Sequence, residues 1–164
     1  VKVESKVGHG ATFEIYLPNF EVKPVELAPI VTIHKPARGN ETVLLVEDEE
    51  TIRDIAKMFL ETHGYHVIEA SNWPEALEIW RKDHTRIDLL LTDLVMPHGV
   101  SGQELARQLQ ADRPALKVIY SSGYSCDLFG ENSFLQPGTN FLQKPYRLNS
   151  LAEMMRQCLD GSAE

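Results

Sequence analysis

The sequence predicts an α/β fold: a doubly wound, five-stranded parallel sheet with helices on both faces, preceded by a short β-hairpin and a linker. Three observations carry this reading. From Glu41 onward, short apolar runs alternate with amphipathic helical stretches. The runs are apolar on both faces, the pattern of strands buried between two helix layers. Ahead of them a proline-rich stretch sets off two short segments of alternating character. Right-handed crossovers between parallel strands then wind the sheet in both directions.

The elements follow in order. In residues 1–18, Val1, Val3, Ser5 and Val7 share one face of a strand, and Phe13, Ile15 and Leu17 one face of a second, with Gly8-His9-Gly10 as the turn. In residues 19–40 and at their edge, Pro18, Pro24, Pro29 and Pro36 are four of the nine prolines, and Gly39-Asn40 follows; the segment reads as an extended linker. Residues 41–162 form the main domain. Its first strand is Thr42–Val46. A helix from Glu49 to His63 carries Ile52, Ile55, Ala56, Phe59 and Leu60 at helical spacing and stops at Gly64. The second strand is Tyr65–Ala70. Asn72-Trp73-Pro74-Glu75 opens the second helix with an Asn cap, Pro in the first turn and Glu three residues after the cap. Ile87–Thr92 is the third strand, Ser101–Ala111 the third helix, Lys117–Ser121 the fourth strand and Asn140–Gln143 a short fifth. A helix from Arg147 to Leu159 closes the domain, showing Leu148, Leu151, Met155 and Cys158 on one side.

Composition bounds the function. The chain has 164 residues, 43% hydrophobic and 24% charged, which suits one ordinary domain with an appendage. The net charge of −8 is concentrated after residue 40, an imbalance that disfavours nucleic acid and suits cations or basic partners. No apolar run approaches the ~18 residues of a membrane helix. Val1-Lys2-Val3-Glu4 does not read as a signal peptide, and a start without Met predicts a segment of a longer protein. Cys126 and Cys158 stand apart with no CxxC spacing, which predicts a reduced, cytoplasmic setting and no zinc site.

In doubly wound sheets, sites form at the carboxyl ends of strands. The first strand ends in Glu47-Asp48, the third in Asp93, the fourth in Ser122 and the fifth in Lys144-Pro145. Any one of these alone is an ordinary loop or strand exit. Together they bring three carboxylates, a hydroxyl and an ammonium to one edge. Three carboxylates repel unless a cation joins them, and oxygen-only ligands of high charge suit Mg²⁺. Lys144 balances a remaining negative charge and Ser122 can donate to an oxyanion. The set suits a phosphoryl group held on a carboxylate.

Val46-Glu47-Asp48-Glu49, Leu91-Thr92-Asp93-Leu94-Val95-Met96-Pro97, Ser121-Ser122-Gly123 and Phe141-Leu142-Gln143-Lys144-Pro145 resemble the signature blocks of response-regulator receiver domains, a flavodoxin-like fold, over about residues 41–161. The resemblance implies that Asp93 is the phosphoacceptor and that Mg²⁺ is bound by Asp48 directly, by Glu47 through water and by the Val95 carbonyl. It implies further that Ser122 contacts a phosphoryl oxygen, that Lys144 pairs with the phosphoryl group, and that Phe141 and Ser122 form the switch. The implied partner is a histidine kinase or a histidine phosphotransfer protein. The resemblance further implies a domain that catalyses only its own phosphorylation and dephosphorylation. Val3–Pro18 resembles the last hairpin of a histidine-kinase ATP-binding domain, with Ala11 where that family usually has Thr or Ser. Hairpin, linker and receiver in this order resemble the C-terminal part of a hybrid histidine kinase, whose membrane anchor, if any, lies elsewhere. Without the rest of an ATP site, no cofactor-binding residues are expected in the hairpin.

Two departures from the receiver pattern stand out. Ser122-Gly123 replaces the commoner Thr-Ala, keeping the hydroxyl. Tyr124–Gly138, where the fourth helix falls, contains Gly130 and Pro137 and little apolar periodicity, which predicts a short or irregular helix. Two other functions fit the sequence less well. An aspartyl phosphohydrolase needs a second Asp two residues after the nucleophile, where Val95 stands. A receiver fold acting only as an interaction module would not need the acidic set and Lys144.

Overall fold

The computed structural model describes residues 1–17, 38–96, 101–124 and 135–161. Most of the linker, Cys126 and the greater part of the expected fourth helix lie outside these residues. The hairpin and the main domain belong to separate compact units.

In the hairpin, β1 (Lys2–Lys6) pairs antiparallel with β2 (Gly10–Glu14), Val3 opposite Phe13. Val7, Gly8 and His9 make the turn, and Gly8 holds a φ of 79°, a left-handed conformation that a residue without a Cβ adopts at little cost. Every residue of both strands is exposed.

The main domain is a five-stranded parallel sheet. Its strands are β3 (Thr42–Val46), β4 (His66–Ala70), β5 (Leu89–Asp93), β6 (Lys117–Ser122) and β7 (Phe141–Gln143), in spatial order β4-β3-β5-β6-β7. Between them run α1 (Glu50–Thr62), α2 (Trp73–Asp83) and α3 (Gly102–Asp112), and α4 (Leu148–Asp160) follows β7. The order reverses beside β3, so the crevice of such a sheet opens between the carboxyl ends of β3 and β5.

The strands bury both faces, as their composition demands. Leu44, Val46, Leu90, Val118, Tyr120 and Phe141 point into one layer with Ala76 and Trp80 of α2 and Leu105 and Leu109 of α3. Their neighbours Val43, Leu45, Leu89, Leu91, Ile119 and Leu142 point the other way, against Ala56 and Leu60 of α1 and Leu151 and Met155 of α4. A one-residue register slip in any strand would exchange these layers, which pins the register and with it the strand ends.

Local signals act as read. Asn72 caps α2, its Oδ1 accepting from the Glu75 amide at 3.0 Å. Ser101 caps α3 through Glu104 in the same way. Gly64 follows α1 with a φ of 95°. The third strand starts later than expected, at Leu89: a 3₁₀ turn over His84–Arg86 comes just before it, and Asp88 bonds Thr42 through both its amide and its carboxylate. The Gly39 amide donates to the His63 carbonyl at 3.1 Å, so the chain joins the domain body before β3 begins.

Candidate functional site

The carboxyl edge of the sheet gathers the residues that the sequence singled out. β3 delivers Glu47 and Asp48, β5 ends on Asp93, β6 ends on Ser122, and Lys144 follows β7. The Lys144 ammonium donates to Asp93 Oδ2 and to Glu47 Oε2, each at 2.6 Å. The other Asp93 oxygen, Oδ1, accepts from the Val95 amide at 3.0 Å. Carboxylate oxygens of Glu47, Asp48 and Asp93 lie within 4.8 Å of one another. Glu47 is buried at 3% exposure and Asp93 at 9%, while Asp48 faces solvent, so the cluster is open on the Asp48 side.

Charge is the dominant feature here. Burial pushes the Glu47 carboxyl above its ordinary value; the bond from Lys144 opposes this without cancelling it, and the charges of Asp93 and Asp48 push the same way as burial. Burial alone would lower the Lys144 ammonium, but its two carboxylate partners outweigh that and raise it. Lys144 is therefore a fixed cation holding two carboxylates together. One positive charge against three negative ones leaves the cluster suited to a small hard cation with oxygen ligands.

Ser122 is fully buried, and its Oγ accepts from the Tyr124 amide at 3.1 Å. Its backbone carbonyl accepts from the Lys144 amide at 2.7 Å, locking β6 to β7 at the site. Phe141 is buried in the layer that contains Tyr120, its partner across the β6–β7 ladder. The side chains of Val95 and Tyr124 are about half exposed, at 51% and 56%, although the amide of each is tied to the site.

Two contributors were not singled out from the sequence. Gly102 opens α3 against the backbone of Asp93, and a Cβ placed there would lie 2.1 Å from the Asp93 carbonyl oxygen. The signal available was a glycine directly after the Ser101 cap, where a side chain would ordinarily be tolerated. Arg53, on the first turns of α1, donates through a terminal guanidinium nitrogen to the Glu47 carbonyl at 2.7 Å. Nothing in its spacing distinguishes it from a solvated helix residue. Beside the site, an apolar groove of about 420 Å³ is lined by Ile52, Ile55, Ala56, Lys144, Pro145, Tyr146 and Leu148.

A sheet of this order with this cluster at its switch point defines a class, and comparison with known proteins gives the same class. The chain belongs to the response regulator receiver domain family, whose model matches residues 43–156. It is 37% identical over 164 residues to the sensor kinase CckA of Brucella abortus, covering 96% of this chain and 17% of that protein. It is 33% identical to the response regulator receiver protein CpdR of the same organism, over 71% of this chain and 95% of that protein. Among solved structures, the receiver domain of the hybrid histidine kinase CckA matches with a TM-score of 0.60 at 35% identity, over 72% of this chain and 98% of that one. The response regulator TrrA of Thermotoga maritima, solved in complex with Mg²⁺-BeF, matches with a TM-score of 0.62 at 28% identity, over 73% and 99%. The resemblance to receivers and the flavodoxin-like sheet expected from the sequence are thereby established. Among the described residues, no helix is long and apolar enough to cross a membrane.

Proposed function

We propose that this domain accepts a phosphoryl group from a phosphohistidine onto Asp93, with Mg²⁺ held by Asp48, Asp93 and the Val95 carbonyl, and by Glu47 through water. The observation that carries the reading is the pair of hydrogen bonds that the Lys144 ammonium donates to Asp93 and Glu47, each at 2.6 Å. These bonds orient the nucleophilic carboxylate at the open edge of the sheet. The donor set, three clustered carboxylates with one solvent-facing member, fits a hard divalent ion that keeps part of its water. Bound there, Mg²⁺ would neutralise charge gathering on the phosphoryl oxygens.

An Asp93 oxygen forms the new bond to phosphorus as the bond from phosphorus to the imidazole nitrogen breaks; the electron pair stays on that nitrogen. Lys144 is within reach of the incoming phosphoryl oxygens. The Ser122 hydroxyl, which accepts from the Tyr124 amide, can turn its own hydrogen to one of them. Phe141, buried next to β6, is the proposed aromatic partner of Ser122 in the switch that follows.

The donor is a histidine kinase or a histidine phosphotransfer protein. The apolar groove beside Lys144 supports this, since a partner seated there would lie against the site. Similarity to a sensor kinase over 96% of the chain supports placing the receiver, linker and hairpin in a hybrid histidine kinase, with residues 1–18 from its ATP-binding domain. The acidic domain supports a role without nucleic acid and without direct membrane contact by this segment, and two cysteines far apart with no CxxC spacing suit the cytoplasm. The test is incubation with acetyl phosphate with and without Mg²⁺, followed by location of the modified residue. Metal-dependent labelling abolished by Asp93→Asn is expected. Labelling that survives this substitution, or that needs no metal, would overturn the assignment.

A further inference from the structure

We infer that Arg53 is a positioning residue for the metal-binding edge: its guanidinium fixes the peptide that joins Glu47 to Asp48 and so aims the Asp48 carboxylate. This rests on the Mg²⁺ site proposed above.

The geometry is specific. Arg53 lies on the first turns of α1, and its amide donates to the Glu49 carbonyl at 3.0 Å. Its side chain does not run out into solvent but turns back over the β3–α1 connection, with only 14% of it exposed. There it donates to the Glu47 carbonyl at 2.7 Å. That oxygen belongs to the planar unit whose other end is the Asp48 nitrogen, so holding it sets the direction in which Asp48 leaves the loop. The preceding peptide is fixed separately, by the Glu47 amide donating to the Ala70 carbonyl at 3.1 Å. The two bonds hold Glu47 at its amide and at its carbonyl, and Arg53 supplies the second.

The guanidinium is itself anchored. Glu69 on β4 stands 3.6 Å from Arg53 Nε, and its other oxygen is bonded by Lys57 one turn further along α1. Arg53 thus spans from Glu69 to the loop with a planar fork, which a flexible ammonium would reproduce poorly. Asp48 is solvent-exposed and has no burial to hold it, so its aim depends on the backbone that precedes it.

Two opposite effects of Arg53 on a cation are conceivable, and they differ in sign. As a charge near three carboxylates it would weaken Mg²⁺ binding, so its removal would tighten it. As a positioning group it strengthens binding, so its removal weakens it. Glu69, shared with Lys57, offsets part of the charge, whereas the bond to the Glu47 carbonyl acts directly on the peptide that leads to Asp48; weaker binding on removal is the outcome the inference predicts.

The experiment is calorimetric titration of MgCl₂ into the full chain and into two variants, Arg53→Ala and Arg53→Met, with thermal unfolding of each measured without metal. Arg53→Met keeps most of the stem's packing and drops only the donor and charge. We expect both to bind Mg²⁺ about tenfold more weakly, the lower range for loss of a group that orients a metal ligand. Unchanged or tighter Mg²⁺ binding by Arg53→Met overturns the inference, whatever happens to the unfolding midpoint. Loss in Arg53→Ala with wild-type affinity in Arg53→Met assigns Arg53 to packing and overturns it too. Should the unsubstituted chain fail to bind Mg²⁺, the site reading itself falls and takes this inference with it.

Discussion

Gly102 lies against the carbonyl of Asp93 so closely that a methyl group on its Cα would stand 2.1 Å from that oxygen. The helix that begins there can approach β5 only because its first residue has no side chain. Gly102→Ala must push α3 or the end of β5 aside. It is expected to cost about 1–3 kcal/mol and to slow acetyl phosphate labelling, because Asp93 sits on the displaced segment. Thermal unfolding beside Gly123→Ala is the check, since nothing lies within 4 Å of a Cβ at Gly123. Equal midpoints for the two variants would refute the packing argument.

The lifetime of the phosphorylated form should depend on Val95 and Tyr124. Hydrolysis needs a water in line with the Asp93 phosphoryl bond. Both residues have amides tied to the site and bulky, half-exposed side chains, and neither side chain is an acid or amide that orients water. The doubly substituted Val95→Asn, Tyr124→Glu protein is expected to lose phosphate roughly tenfold faster. Measured loss at the wild-type rate would show that crowding at these positions does not set the lifetime.

The groove beside Lys144 separates two sources of phosphate. Ile55 lines it with 51% of its surface exposed. Ile55→Asp should leave labelling by acetyl phosphate unchanged, since Ile55 is outside the carboxylate cluster. Transfer from a phosphorylated histidine protein should fall about tenfold, the scale of one central contact in an interface. A variant that slows both reactions alike would place the defect in the site and not in docking.

At the opposite end of the sheet, Glu41 accepts from Arg156 at 2.7 Å and from the Asn40 amide at 2.8 Å. Burial would raise its carboxyl, but these bonds outweigh it and hold the group below its ordinary value of 4.5. A lowered carboxyl stabilises the fold above its unfolded value, and that stabilisation disappears as pH falls through the folded one. Glu41→Gln should therefore be less stable by about 1 kcal/mol at neutral pH, with the difference closing below pH 4.5. Denaturant melts of both proteins across the acid range test this; a gap that persists at the acid end would contradict it.

How far the sequence reached depended on the kind of signal. The strands were legible because Leu44, Leu45, Leu90 and Leu91 are buried on alternate faces, so whole runs are apolar. Asn72 was legible because its cap chemistry is local, reaching only to Glu75. The convergence of Glu47, Asp48, Asp93, Ser122 and Lys144 followed from a rule about strand ends, without knowledge of any contact. Gly102 and Arg53 were missed for a common reason. Each acts on a backbone carbonyl, of Asp93 and Glu47 respectively, and a backbone atom leaves no trace in residue type. The boundary at residue 40 shows the same limit, since Gly39 joins the fold through its amide.

The Gly39 and Glu41 contacts place the tether of this domain at the pole where the strands begin, and Asp93 sits at the pole where they end. With five residues in β3, each rising about 3.3 Å, the two poles stand about 16 Å apart. Whatever precedes Arg38 is thus fastened on the side away from the chemistry. A donor that reaches Asp93, as proposed above, approaches the pole opposite the one where Gly39 is fixed. The point of attachment and the carboxylate cluster thus occupy opposite ends of β3, with Glu41 before the strand and Glu47 after it.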